Sequence, residues 1–250
     1  MTMLEWVAYL LCRPLLKVLP RIANGPTEVW ILSQFTADPS QNGEGRIVQM
    51  ARDVLATRGS PVPATFLELG ANHPFRLSNT WYLETRCGFT GVSVDPLPDY
   101  EGLFRLTRPK TQFVRAAIVP QSRAEKAVRI YKCDNDVLST LDPSEAERLQ
   151  AMNHAGSEIV SPTTHYGDLV RRPEFAPGFG VLFLDIESHD LQMAILREAV
   201  ACECKPRLIC VETLEFMGDQ RDFRSDYLGI LGPAGYRELA STILNTIYAS

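Results

Sequence analysis

Residues 65–98 read TFLELGANHPFRLSNTWYLETRCGFTGVSVDPLP, and the order of β-prone and helix-prone runs within them decides the fold. Residues 65–69 are a short strand-forming run that Gly70 breaks. Residues 78–86 have helical character, and residues 90–94 are β-rich again before Asp95. This is a βαβ unit with a carboxylate one unit downstream of a glycine turn, an arrangement suited to a nucleoside cofactor. Gly70 lets the backbone come close to a ligand, and Asp95, where the second strand stops, can accept hydrogen bonds from both ribose hydroxyls.

Upstream, residues 37–45 (ADPSQNGEG) are a loop by composition, and residues 46–58 carry Ile47, Met50, Ala51, Val54 and Leu55 at helical spacing. Residues 1–22 are apolar but interrupted by Glu5, Arg13, Pro14 and Lys17, so the reading includes neither a transmembrane span nor a signal peptide. Two readings stay open for that segment: a helix packed on the domain or on a second subunit of a homo-oligomer, and a membrane-surface anchor.

Downstream, a helix is expected over residues 100–107, with strands over 112–119 and 127–131. Residues 134–180 are the least regular stretch, with a helix over 144–152 started by Asp142 and Pro143, and a second near 166–171. So long an excursion is a candidate lid or substrate-binding insertion. Residues 181–186, VLFLDI, read as a strand buried on both faces; a helix over 189–202, a strand over 208–211 ending at Glu212, and a hairpin turning near 242–245 complete the chain. Strands alternating with helices until a terminal hairpin give an α/β fold with a mostly parallel sheet and an antiparallel edge.

At 250 residues and 45% hydrophobic content, the chain can bury one large core, so we expect a helical extension and linker over 1–60 and one domain over 61–250. A net charge of -5 and a pI near 5.5 leave no electrostatic footprint for nucleic acid. The six cysteines, with no CxxC pair, read as mostly buried reduced thiols of a cytoplasmic protein, and zinc is not expected on that spacing.

Chemistry in an open parallel sheet gathers beyond the carboxyl ends of the strands, where Glu68, Asp95, Asp185, Glu187, His189 and Glu212 fall. One such acid is ordinarily a helix cap; acids at four matching strand ends favour a site. Pro74, in the turn Gly70-Ala71-Asn72-His73-Pro74, lacks an amide hydrogen, which disfavours a pyrophosphate and with it a nicotinamide dinucleotide. S-adenosylmethionine, an adenosine carrying a sulfonium and an amino acid tail, fits better.

The turn motif, Ser78-Asn79-Thr80, Gly88-Phe89-Thr90-Gly91 and Asp95-Pro96 resemble, in order, the motifs of FkbM-family class I S-adenosylmethionine-dependent methyltransferases. The likeness extends to residues 40–44 (SQNGE), Arg108-Pro109, residues 184–191 (LDIESHDL), Val211-Glu212, Gly235-Tyr236 and Asn245. The resemblance implies a Rossmann-like seven-stranded sheet with a reversed last strand. Glu68, Gly70, Ala71 and Asn72 would line the methionine end of the cofactor, Asp95 and Pro96 the ribose, and Ala116 with its neighbours the adenine. It also implies methyl transfer to a hydroxyl of a sugar, glycan or natural product.

A hydroxyl needs a base or a metal to become a nucleophile. His189 is the candidate base, with Asp185 and Glu187 beside it; Asp185, Glu187 and Glu212 are candidate ligands for Mg2+. Ser188 stands where the family has glycine, which would strain the turn if a positive φ were needed there and would point to a catalytically silent scaffold. The turn before Pro74 gives His73 a structural reading, while His154 and His165 stay undecided between solvent and substrate. Trp81, Tyr82 and Leu83 read as core, and Arg105, Arg108, Arg171 and Arg172 as solvated charges, with contact to an anionic substrate as the alternative.

Overall fold

The computed structural model describes residues 25–186, 188–214 and 221–250, so the helix expected over 1–22, Cys12 and Glu187 lie outside the described residues. In chain order the helices are α1 (Pro26–Ser33), α2 (Glu44–Thr57), α3 (Trp81–Cys87), α4 (Glu101–Thr107), α5 (Pro143–Ala151), α6 (Tyr166–Val170), α7 (His189–Ala201) and α8 (Arg224–Leu231). The strands are β1 (Thr65–Leu69), β2 (Thr90–Asp95), β3 (Thr111–Arg115), β4 (Ala117–Ile118), β5 (Ala127–Cys133), β6 (Gly156–Thr164), β7 (Val181–Leu184), β8 (Leu208–Glu212), β9 (Arg237–Ser241) and β10 (Asn245–Ala249).

Seven strands form one sheet in the order β3-β2-β1-β7-β8-β10-β9. The first five are parallel neighbours, and β10 runs antiparallel between β8 and β9, as the terminal hairpin led us to expect. Alternation along the strands feeds two helical layers. Leu67, Leu69, Leu182, Leu184, Ile209 and Val211 face α6, α7 and α8 on one side. Phe66, Val181, Phe183, Leu208 and Cys210 face α2 and α3 on the other.

The run read as a fourth strand, β5, leaves this sheet and builds a second one, ordered β4-β6-β5, with β5 and β6 antiparallel. Its small core is Leu97, Ala117, Val119, Val128 and Ile130. Strand β6 lies in the stretch read as least regular. Most of its side chains are exposed or half-buried, and Pro162 breaks its β signal. Because β4 pairs with β6 only at Thr163 and Thr164, Pro162 sits on an open edge where its missing N–H is tolerated. Helix α5 begins as its sequence signal indicated: the Asp142 carboxylate accepts the Ser144 and Glu145 amides and Pro143 opens the first turn.

Helices α1 and α8 have no side-chain cap and were not read from the sequence. No helix among the described residues is long and apolar enough to cross a membrane. Of the described cysteines, Cys133 and Cys210 are buried, whereas Cys87, Cys202 and Cys204 are partly exposed; all are free thiols.

Candidate active site

The carboxyl ends of β1, β2, β7 and β8 open onto a cleft of about 570 Å³, closed on one side by residues 135–141, Glu145, Arg148 and His154 of the excursion. Gly70 makes the first wall. Its φ is +85°, and a Cβ there would lie 1.7 Å from the carbonyl oxygen of Asp185, so both the turn and the neighbouring chain require glycine. The Gly70 and Ala71 amides donate to the Val94 carbonyl at 3.0 and 3.1 Å, pinning the turn to β2.

Asn72, at φ +45°, donates its amide to Asp95 Oδ2 at 2.8 Å, and the Leu97 amide donates to Oδ1 at 2.8 Å. Each carboxylate oxygen keeps acceptor capacity for a ligand in the cleft. Burial pushes the Asp95 carboxyl up to about 6, against the pull of those two amides, with the charges of Asp136 and Glu68 adding to the rise. Pro96 and Ala116 line the same end of the cleft, and the Ala116 amide donates to the Asp95 carbonyl at 3.1 Å.

His73 does not face a ligand. Its Nδ1 accepts the Phe75 and Arg76 amides at 3.0 and 2.9 Å, and burial followed by the Arg76 charge lowers its pKa to about 3, so the ring is neutral. Two amides that could cradle a phosphate are thereby turned inward.

Glu68 touches the cleft but is held from behind. Its Oε2 accepts from Ser93 Oγ at 2.6 Å and Thr80 Oγ1 at 2.8 Å, and burial raises its pKa. The Ser78-Asn79-Thr80 motif belongs to this network through Arg108. Read from sequence as a solvated charge, Arg108 is instead 1% exposed, paired with Glu84 at 2.5 Å and donating to the Pro74 carbonyl, Ser78 Oγ and Thr80 Oγ1. A guanidinium fork satisfies all these acceptors at once, which is why the residue can be buried. Trp81 and Leu83 are buried as expected, with Tyr82 half-buried.

Asp185 receives the Asn79 amide group at 3.4 Å, and its carboxyl is pushed up to about 6 by burial and then by Glu44 and Glu68. Glu44 is fully buried. It accepts from Asn245 Nδ2 at 3.0 Å, Thr242 Oγ1 at 3.1 Å and the Asn42 amide at 2.8 Å. The sequence carried this contact only as two distant motif fragments, residues 40–44 and Asn245. Glu212 lines the cleft too. Among the described residues neither Asp185 nor Glu212 belongs to a group of three ligating side chains at metal-binding distance, and Glu187 is not described.

His189 opens α7 and lines the cleft. Its Nδ1 lies 3.1 Å from the Tyr227 hydroxyl and its Nε2 3.3 Å from Asp226 Oδ2, while Phe223 stacks on the ring at 3.9 Å. Tyr227 donates onward to Gln192 Oε1 at 2.5 Å, so its oxygen accepts from Nδ1–H, which fixes the tautomer. Asp226 and Tyr227 belong to α8, the helix the sequence did not reveal. Ser188 has φ -166°, an extended conformation open to any residue, so serine in place of glycine imposes no strain. His165 Nδ1 lies 3.3 Å from the Val119 carbonyl, a contact that braces the second sheet.

A parallel sheet reversed only by its penultimate-position strand, a glycine turn after β1 and an acid closing β2 define the Rossmann-like methyltransferase class. Residues 68–238, more than half of the chain, match the methyltransferase FkbM domain, and the chain belongs to that family, whose methyl donor is S-adenosylmethionine. Among solved structures it matches the Burkholderia thailandensis 1,6-didemethyltoxoflavin-N1-methyltransferase with bound 1,6-didemethyltoxoflavin and S-adenosylhomocysteine. The match has 12% identity and a TM-score of 0.38, covering 100% of this chain and 89% of that one. No curated protein matches the sequence.

Proposed function

We propose that the protein transfers the methyl group of S-adenosylmethionine to a hydroxyl oxygen of a sugar, glycan or natural product. The observation that carries the reading is Asp95, a buried acid held by the Asn72 and Leu97 amides with acceptor capacity left toward the cleft. It would accept the ribose hydroxyls, with Gly70, Ala71 and Asn72 at the methionine end, Pro96 and Ala116 toward the adenine, and Glu68 bracing the turn from behind. When bound, the cofactor supplies an electrophilic sulfonium methyl.

The residues of the chain supply the rest. Nδ1–H held by Tyr227 leaves Nε2 as the basic nitrogen of His189, and Asp226, 3.3 Å away, stabilises a proton received there. Unprotonated Nε2 offers a lone pair to the acceptor hydroxyl, and only after it has taken the proton does the resulting Nε2–H donate to Asp226 Oδ2. The excursion, through Asp136, Thr140, Arg148 and His154, forms the acceptor wall and excludes water. Asp185, crowded by Glu44 and Glu68, is an acid whose charge a cation would relieve, so Asp185, Glu187 and Glu212 remain the ligands proposed for Mg2+.

Labelled methyl transfer across candidate acceptors tests the reading: label should appear as an O-methyl ether. Label on nitrogen or carbon alone would overturn it. His189→Ala should lower turnover by about 10²- to 10⁴-fold and leave cofactor affinity unchanged; equal turnover removes His189 as the base. If Mg2+ is needed, chelation stops turnover and Mg2+ restores it, and turnover that resists chelation removes the metal.

A further inference from the structure

We propose that Cys133, Asp134 and His154 form a metal site of the zinc class on the excursion side of the cleft. Strand β5 ends at Cys133, and the antiparallel register pairs Cys133 with Gly156. Beyond that last rung the Asp134 amide donates to the Ala155 carbonyl at 2.7 Å, and the Tyr131 hydroxyl donates to the His154 carbonyl at 3.0 Å. These bonds clamp two chain segments side by side, so the adjacent Cys133 and Asp134 meet His154, twenty positions beyond Asp134. A sequence motif of metal spacing never arises, which is why zinc was not expected.

Two of the three ligand-to-ligand separations, both involving Asp134 Oδ1, match the edges of a zinc tetrahedron. Cys133 Sγ lies 3.3 Å from Asp134 Oδ1, His154 Nδ1 lies 3.2 Å from the same oxygen, and the three ligand atoms fall within 4.8 Å of one another. Metal–ligand bonds of about 2.0–2.3 Å at tetrahedral angles give edges of about 3.3–3.5 Å. Sulfur, imidazole nitrogen and carboxylate oxygen together suit Zn2+ far better than Mg2+. Three protein ligands leave one position open, as in catalytic zinc sites. Of the three, His154 lines the cleft.

The competing account is a thiol and an imidazole N–H both donating to the Asp134 carboxylate. The two accounts differ in the proton on sulfur. Metal binding displaces it, so uptake releases protons and tightens as pH rises; a hydrogen-bonded cluster takes up nothing.

The test uses the full chain stripped of metal and titrated with Co2+ and then Zn2+, followed by absorption spectroscopy and calorimetry. We expect one equivalent of Co2+, a thiolate-to-cobalt charge-transfer band, and displacement by Zn2+. The band should vanish in Cys133→Ser. Loss of an outer partner of a metal ligand typically weakens binding about 10- to 100-fold, so Asp134→Asn and His154→Ala, which remove ligands, should weaken it at least about tenfold. Cys202→Ser and Cys204→Ser should change neither band nor stoichiometry. No stoichiometric uptake, a band that survives Cys133→Ser, or affinity unchanged in both Asp134→Asn and His154→Ala overturns the proposal. Should Cys133→Ser fail to fold, the other two variants decide, since Asp134 and His154 are partly exposed and their replacement leaves the core intact.

Discussion

At the scale of the residue, Asp95 joins two effects of opposite sign. Its folded pKa of about 6 lies above the ordinary 3.8, so the stability it contributes is present below about pH 4 and lost as pH rises through 6. A rise of about two units corresponds to roughly 3 kcal/mol. Cofactor affinity runs the other way, because the ionised carboxylate is the better acceptor for ribose hydroxyls. Asp95→Asn should therefore flatten the melting temperature between pH 4 and 6, weaken S-adenosylmethionine binding roughly ten- to a hundredfold at pH 8, and remove the fall in affinity below pH 6. Unchanged affinity at pH 8 would refute the ribose role. Ser188 gives a second expectation: with φ at -166°, Ser188→Gly should shift stability by less than about 1 kcal/mol in thermal unfolding. Asp95 and Gly70 were legible in the sequence because strand ends and positive-φ turns are local features. The tautomer of His189 was not, because it is set by Tyr227 and Asp226, more than thirty positions away on an element without capping signals.

At the scale of the element, the buried Arg108 joins the start of β3 to α3 and to the turn that follows β1. Thr111 Oγ1 also donates to Glu84, so Glu84 accepts from three directions: Arg108, Thr111 and the Lys110 amide. Removing one partner of such a pair leaves a buried charge without compensation, at a cost of about 3–5 kcal/mol. Arg108→Met should lower the melting temperature by on the order of 10 °C and weaken the cofactor, since Ser78, Thr80 and Glu68 lose their common anchor. The double variant Arg108→Met with Glu84→Gln should recover part of that loss. A single variant as stable as the parent would show that the network does not brace the turn. Composition alone placed Arg108 outside, because arginines are seldom buried; only the convergence of three segments on it reverses that prior. Strand β6 was hidden for a related reason. Its outward side chains and Pro162 lack the alternation that marks a half-buried strand, and what makes it a strand is its ladder to β5.

At the scale of the whole molecule, the excursion is fastened to the cofactor side by Tyr100 donating to Asp136 at 2.5 Å, and the end of β5 that leads into it by Lys132 with Asp99 at 2.6 Å. Cofactor binding at Asp95 should therefore slow hydrogen exchange over residues 134–141, and Tyr100→Phe should reduce that protection; identical exchange with and without cofactor would mean that the excursion does not respond to the donor site. The seven-stranded order was legible from alternating periodicities and the terminal hairpin, whereas the departure of β5 into a second sheet was not, because strand propensity carries no information about which partner a strand chooses. The position of β10 has a further consequence for biogenesis. It lies between β8 and β9, so both inner edges stay open until residues 245–249 have been translated. Earlier strands can associate during synthesis, yet the nascent sheet remains split, and β9 waits as an orphan segment for the strand that separates it from β8. A chain in which β10 has not yet docked thus presents two adhesive edges, which makes that strand a point where chaperone capture competes with completion of the fold.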